Sequence, residues 1–78
     1  MWFKCNDTLP KKNGTYMTAE CGFMGNTIYR IARFNKNLGS VFGLEEHEGK
    51  SGFYDYDSEW GNCFIEPEAW KYIEKYRG

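Results

Sequence analysis

The chain has 78 residues, enough for one domain spanning residues 1–78 and too few for two. Its composition is 41% hydrophobic and 27% charged with a formal net charge of −1, which excludes disorder over most of the length. No apolar segment approaches the ~20 residues of a membrane-spanning helix or forms the core of a signal peptide, so we expect a cytoplasmic protein with no membrane partner.

Glycine and asparagine divide the chain at short intervals, and runs rich in aromatic residues, Ile and Thr lie between them. This pattern is typical of short strands joined by turns. It predicts five strands, at about residues 2–6, 15–21, 27–35, 40–44 and 53–56, with 63–65 as a candidate sixth. The 27–35 segment has apolar residues on both faces, which favours a central strand. Residues 35–39 then predict a hairpin loop, and 45–52 a longer acidic loop.

The C-terminal segment changes character. The Glu-Pro-Glu sequence at 66–68 is typical of a helix start, because proline fits the first turn and acidic residues are favoured by the helix dipole. Ala69, Ile73 and Tyr76 follow at spacings of four and three residues, which gives one apolar stripe. The sequence therefore predicts a helix over about 67–77, packed on the sheet because so short a helix is not stable alone.

We therefore predict a β-rich α+β fold, with a small twisted antiparallel sheet or partly closed barrel of about five strands over residues 1–65 and one C-terminal helix packed on it. A two-layer α+β arrangement is the alternative. The 3 Trp, 6 Tyr and 6 Phe predict a core built mainly from rings, with any rings exposed as a group forming a binding surface. The expected core residues are Trp2, Phe3, Tyr16, Ile28, Ile31, Phe34, Val41, Phe42, Phe64, Trp70 and Ile73.

Catalytic motifs are absent from the sequence. His47 is the only histidine, and no nucleophile motif surrounds Cys5, Cys21 or Cys63. No glycine-rich loop leads from a strand into a lysine-bearing helix, so no phosphate-binding loop is predicted. The odd number of cysteines, without a CxxC pair, indicates reduced thiols in core or half-buried positions. We expect a non-enzymatic protein without a cofactor.

Two metal sites are conceivable from the residue types. The three cysteines and His47 could form a zinc site, but structural zinc sites use ligands that are close pairs in sequence. Asp55, Asp57 and Glu59 follow the spacing of a calcium loop, but Trp60 stands where that loop requires glycine. The sequence therefore predicts no metal site, and the three carboxylates are better explained as solvated side chains.

Charge is distributed unevenly along the chain. Residues 1–39 have a net charge of +4 and residues 40–78 a net charge of −5, while residues 45–68 alone reach −7. These carboxylates either pair with the basic N-terminal half after folding or share a surface that attracts a basic partner. On the second reading, the partner-binding residues are Glu45, Glu46, Glu48, Tyr54, Asp55, Tyr56, Asp57, Glu59 and Trp60.

Nucleic-acid binding has one supporting segment, residues 29–36, in which basic and aromatic residues alternate. The chain is nevertheless acidic overall, and Arg30 and Arg33 point to opposite faces of a strand, so the sequence disfavours a nucleic-acid partner. The alternative function is a single-strand nucleic-acid-binding module, and a third hypothesis is a self-associating structural virion component. The module would use Arg30, Arg33, Lys36, Lys11 and Lys12 with Tyr29 and Phe34.

The first 20 residues contain the pattern Trp2-x-x-x-x-Asp7-x-Leu9-Pro10-x-x-x-Gly14-x-Tyr16. It resembles the start of small phage- and prophage-encoded proteins of unknown function. Those proteins often end near a His-Trp segment followed by prolines, whereas this chain has Glu68-Ala69-Trp70 without that histidine or the prolines. The resemblance implies a phage-encoded accessory protein in the host cytoplasm. Its small size, the missing active site and the acidic segment with its aromatic residues indicate that it works by binding, as a monomer or a dimer.

Taken with the acidic segment, the resemblance leads to one functional hypothesis. We expect a phage-type inhibitor that binds a host protein with a basic surface, such as a nucleic-acid-dependent defence component, in an anti-CRISPR-like manner.

Overall fold

The computed structural model of the protein describes residues 1–73. Within this range the strands are β1 (Phe3–Lys4), β2 (Gly14–Cys21), β3 (Thr27–Asn35), β4 (Gly52–Asp57), β5 (Gly61–Ile65) and β6 (Ala69–Lys71). The described range also contains one short α-helix, α1 (Leu38–Phe42), and two 3₁₀ turns, Phe23–Gly25 and Glu45–His47.

All six strands form one antiparallel sheet with the order β1-β6-β2-β3-β4-β5. The longest pairing joins β2 to β3, from Gly14 opposite Phe34 to Cys21 opposite Thr27. Because successive side chains along a strand point to opposite faces, this register assigns every strand residue to one of two faces. We call the face that carries Phe34 the core face and the opposite one the open face.

The core face is filled by aromatic rings. Tyr16, Phe34, Phe53 and Trp70 are buried in one cluster, and Phe3 packs against it. The ring centroids of Tyr16 and Trp70 are 5.3 Å apart, and those of Phe34 and Phe53 are 5.0 Å apart, both edge to face. Such pairs stabilise a core beyond the area they bury, so four rings hold the two halves of the sheet together.

Residues 5–13 form a loop that covers this cluster. The indole N–H of Trp70 donates to the carbonyl of Thr8 at 2.9 Å, and the hydroxyl of Tyr16 donates to the carbonyl of Lys12 at 2.7 Å. Pro10, between these two anchor points, is buried. The layer on the core face is therefore a loop fixed by two side chains of the sheet.

The predicted helix over residues 67–77 is wrong. Ala69–Lys71 forms β6, which lies between β1 and β2 and pairs with both. The ladder continues at Glu68, whose N–H donates to the carbonyl of Ala19 at 2.9 Å. A helix this short is marginal, whereas an interior strand satisfies its backbone groups on both sides. The end of the predicted helix, residues 74–78, lies outside the described residues.

The predicted strand at residues 40–44 is also wrong, because Leu38–Phe42 forms α1. The side chain of Asn37 caps this helix by accepting the N–H of Gly39 at 3.1 Å. Gly43 ends it in the left-handed region with φ 70°, and its N–H donates to the carbonyl of Gly39 at 2.8 Å. Asparagine before and glycine after a short segment are typical helix caps, and these local bonds outweigh strand propensity here.

The sheet is open and has six strands. This corrects the prediction of about five strands in a twisted sheet or a partly closed barrel. Its edges, β1 and β5, do not pair with each other. Closure requires every strand to pair on both sides with a consistent stagger, and β1 pairs through only two residues.

Several expected core residues are exposed, which corrects the predicted core: Trp2, Ile28, Ile31, Phe64 and Ile73. Ile31 and Phe64 lie on the open face, and the helix and turns of residues 1–73 leave both side chains exposed there. Ile28 lies on the core face, beyond the end of the aromatic cluster. A single sheet covered on one side can bury only alternate residues, so apolar residues on the other face stay accessible.

Candidate interaction surfaces

Three glutamates lie together in one turn. Glu45, Glu46 and Glu48, which we call the acidic turn, are exposed at and just after the 3₁₀ turn Glu45–His47. The side-chain oxygen of Asn37 accepts the N–H of Gly49 at 2.9 Å, in addition to the cap bond with α1. One asparagine therefore fixes the acidic turn against the helix, and the carboxylates are presented on a defined backbone.

Aromatic contacts attach the acidic turn to the open face of the sheet. The ring of Phe42 lies 5.5 Å from His47 and 6.2 Å from Tyr54, centroid to centroid. Leu38 is buried, and its side chain lies against Gly52 at the start of β4. Tyr54 is consequently half-buried under α1, while the acidic turn projects beyond this end of β4.

The other end of β4 forms a tight hairpin tip. The carboxylate of Asp57 accepts the backbone N–H of Glu59 at 2.7 Å and that of Trp60 at 3.1 Å. Gly61, with φ 77°, completes the turn in a conformation that glycine adopts without strain. The side chain of Trp60 is 80% exposed on this turn. Asp57 thus shapes the tip, and Trp60 and Glu59 project from it.

Asp55 has a different environment, because it lies on the core face. Arg30 pairs through its Nε with Glu20, and its Nη1 lies 3.4 Å from the carboxylate of Asp55. The backbone at this point is supported by the fully buried Thr18, whose hydroxyl donates to the carbonyl of Arg30 at 3.2 Å. The charge of Asp55 is therefore opposed by an arginine and directed away from the acidic turn.

The structure thus places the predicted partner-binding residues in separate groups along β4. The acidic turn and the hairpin tip lie at opposite ends of this six-residue strand, ~17 Å apart at the usual rise per residue. Between them, Tyr56 is 66% exposed on the open face. Within residues 1–73, Arg30 forms the only two ion pairs, so Asp55 is the one member of the predicted set with a cationic partner.

The residues of the alternative nucleic-acid hypothesis do not share a surface. Arg30 and the buried Phe34 lie on the core face, whereas Tyr29 and Arg33 lie on the open face. Lys11 and Lys12 belong to the loop over the aromatic cluster. The set as predicted therefore mixes two sides of the sheet.

The open face contains a group that the sequence did not predict. Trp2 and Tyr29 approach to 5.9 Å between ring centroids, and the ammonium of Lys71 lies 4.9 Å from the centre of the Trp2 ring. Trp2 is instead among the expected core residues, because a tryptophan near a strand usually faces inward. The alternation of β3 does indicate that Tyr29 and Arg33 share a face, but the pairing of β1 with β6 is not visible in the sequence.

In the described chain, no three or more His, Cys, Asp or Glu side chains are grouped closely enough to hold a metal ion. No helix of residues 1–73 is long and apolar enough to cross a membrane. The three cysteines are unbonded, with Cys5 and Cys63 half-buried and Cys21 exposed. Burial raises the pKa of the Cys5 thiol above its ordinary value.

Comparisons with models of protein families, with curated proteins and with solved structures find no match to this chain. The resemblance of its first 20 residues to phage proteins therefore stays a prediction.

Proposed function

We propose that this protein is a non-enzymatic, phage-type accessory protein that binds and inhibits a host protein with a basic surface in the host cytoplasm. The observation that carries the proposal is the number of exposed carboxylates at the two ends of β4 that have no cationic partner among residues 1–73. We call this surface the acidic edge. It consists of Glu45, Glu46, Glu48, Tyr56, Asp57, Glu59 and Trp60.

The acidic edge is small enough for one partner protein to cover both of its charged groups. The strand that separates its two charged groups is ~17 Å long, and a protein interface of standard size, about 800 Å² on each side, spans that length. The charges would accelerate encounter with a basic surface, and a large exposed ring is typical of the residues that anchor an interface. Trp60, 80% exposed on a hydrogen-bonded turn, is the strongest anchor candidate.

Two residues of the predicted set have smaller roles in this proposal. Asp55 shares its charge with Arg30 on the core face, and Tyr54 packs beneath Phe42. Neither is fully available to a partner on the acidic edge. A basic groove of the kind that holds nucleic acid is complementary in charge to these carboxylates, which supports a nucleic-acid-dependent defence component as the partner.

The test uses two variants with the same change in net charge. Glu45→Lys with Glu46→Lys alters the acidic turn, and Glu66→Lys with Glu68→Lys alters exposed glutamates near the opposite edge of the sheet. A partner captured from host lysate by the wild-type protein is purified, and its association rate is measured at several salt concentrations. We expect the first pair to lower the rate about tenfold at low salt, and the control pair to change it less than about threefold.

A third variant, Trp60→Ala, is expected to raise the Kd about tenfold, mainly through faster dissociation. Thermal melting of all variants checks that they fold. Equal effects of the two charge-reversed pairs, or an affinity indifferent to salt, would contradict the acidic edge as the binding surface.

A further inference from the structure

Acidic and basic residues of the strands are separated between the two faces of the sheet. All strand acids, Glu20, Asp55 and Asp57, have core-face positions in the register. In the strands of residues 1–73, the charged residues at open-face positions are all cations: Lys4, Arg33 and Lys71. One face of the sheet is therefore basic, although the net charge of the whole chain is negative.

Two aromatic rings lie close together on this basic face. β1 and β3 are separated by β6 and β2, a distance of ~14 Å at normal strand spacing, yet the rings of Trp2 and Tyr29 are 5.9 Å apart. Ala69 and Ala19, paired with each other and level with Tyr29, have only small side chains on this part of the open face. The two rings, tilted by 41° to each other, form one aromatic pair rather than two separate side chains.

This surface is accessible to a ligand. Trp2 is 38% exposed, Tyr29 63% and Ile31 57%. The ammonium of Lys71, 4.9 Å from the centre of the Trp2 ring, places a positive charge beside the aromatic surface. Arg33 is exposed two residues along β3 from Ile31.

We propose that this open-face platform, made of Trp2, Lys4, Tyr29, Ile31, Arg33 and Lys71, binds single-stranded nucleic acid. Bases stack on the rings of Trp2 and Tyr29, and the three cations contact phosphates along the strand. A polyanion that also presents flat rings matches both properties of the surface. A duplex matches only the charges, because its base faces are stacked inside the helix.

The surroundings of the platform limit the length of strand it can hold. The acidic turn lies beyond the β4 end of the open face, and Glu66 and Glu68 border the depression beside Lys4 at the β1–β6 edge. Both groups repel phosphate, so the strand is confined to the area between them. We infer a footprint of about four nucleotides, at the short end of the range for stacking platforms.

The experiment is a fluorescence anisotropy titration of the full chain with a labelled 12-nucleotide single strand at ~50 mM salt. With three phosphate contacts, the slope of log K against log salt should be about −2. Tyr29→Ala should weaken binding at least fivefold, whereas Trp60→Ala, which removes another exposed ring, should leave it within about twofold. Arg33→Ala should weaken binding and make the slope shallower by about 0.7, and Lys11→Ala should not.

Several results would overturn the proposal: no binding at 100-fold excess of protein over a ~1 μM probe, equal affinity for a matched duplex, or equal effects of Tyr29→Ala and Trp60→Ala. Tyr29 and Arg33 are exposed, so their variants are expected to fold, and melting curves check this. Glu45→Lys with Glu46→Lys should not weaken oligonucleotide binding. This result would show that the platform and the acidic edge act independently. The test of the acidic edge described above does not depend on it.

Discussion

Trp70 is the residue on which the two layers depend most. It is 2% exposed, stacks with Phe3, meets Tyr16 edge to face and donates its indole N–H to the loop carbonyl of Thr8. It therefore connects β6, β1, β2 and the covering loop at one point. A small domain buries a modest fraction of its surface, so losing one such contact centre is a large part of its stability.

Trp70→Ala should lower the free energy of unfolding by about 3–5 kcal/mol, because it leaves a cavity and frees the Thr8 carbonyl. Urea unfolding followed by circular dichroism measures the change. Trp60→Ala is the matched control, since the same side chain is removed from an 80% exposed position, and it should cost less than about 0.5 kcal/mol. Similar losses in the two variants would contradict the described core.

The thiols differ in environment and should differ in reactivity. Burial raises the pKa of Cys5, which lowers its thiolate fraction at neutral pH, while Cys21 is exposed at the end of β2. Under native conditions iodoacetamide should alkylate Cys21 before Cys5, as read by mass spectrometry of peptides over time. In urea the difference should disappear. Faster labelling of Cys5 in the folded state would show that its thiol is not buried.

At the scale of elements, the connection between β3 and β4 depends on local hydrogen bonds more than on a core. Asn37 caps α1 and holds Gly49, and the N–H of Leu38 donates to the carbonyl of Lys50 at 2.7 Å. Gly39 also packs so closely that a β-carbon there would lie 2.8 Å from the Cα of Glu48. The position of the acidic turn therefore follows from a few residues around one asparagine.

Asn37→Ala should destabilise the protein by about 1–2 kcal/mol, since the helix loses its cap and Gly49 loses a hydrogen-bond acceptor. Asn62→Ala, at an exposed position of β5, provides the control and should have little effect. Hydrogen exchange should show faster exchange at Gly39 and Gly49 in Asn37→Ala, with β2 and β3 unchanged. Unchanged protection at both glycines would show that the cap does not hold the acidic turn.

The sequence predicts elements well where a long segment has a single consistent pattern. The predicted strand at 27–35 has the same bounds as β3, because nine residues with apolar positions on both faces fit no other element. Ala69–Lys71 is too short to determine its own state, and the two strands beside it impose one. Apolar periodicity compatible with a helix was therefore overridden by tertiary pairing.

The candidate surfaces were predictable to different degrees for the same reason. Residues of the acidic edge are close in sequence, so the charge pattern identifies them, although the structure divides them between the two ends of β4. The open-face platform joins Trp2, Tyr29 and Lys71, which come together only through the strand order. Which side of β1 faces outward depends on β6, and no pattern within the first residues contains that information.

At the scale of the whole molecule, alkaline stability should report on the covering loop. Burial, and secondly the charge of Tyr72, raise the pKa of Tyr16 above its ordinary value. The hydroxyl is thus harder to ionise in the folded state than in the unfolded one. The resulting stability is complete below pH ~10, the unfolded pKa of tyrosine, and is lost as the pH rises through the folded pKa.

The free energy of unfolding, measured in urea at intervals from pH 8 to 11, should therefore fall at the alkaline end. Tyr16→Phe should make this decline shallower while costing about 1 kcal/mol at pH 8 for the lost bond to the Lys12 carbonyl. Tyr29→Phe, at an exposed position, is the control and should leave the decline as it is. An identical decline in Tyr16→Phe would assign the effect to other groups.

The interior position of β6 has a consequence for how the chain folds during synthesis. Among the strands of residues 1–73, β1 is synthesised before the others, yet its one neighbour in the sheet is β6, which is synthesised after them. β2 to β5 can pair in order as they emerge, while the first strand and the loop at residues 5–13 lack their partner strand until β6 is made. Such distant pairing is slow to form, so a nascent chain stalled before residue 69 should be protease-sensitive in residues 1–13 and protected in the β2–β3 hairpin.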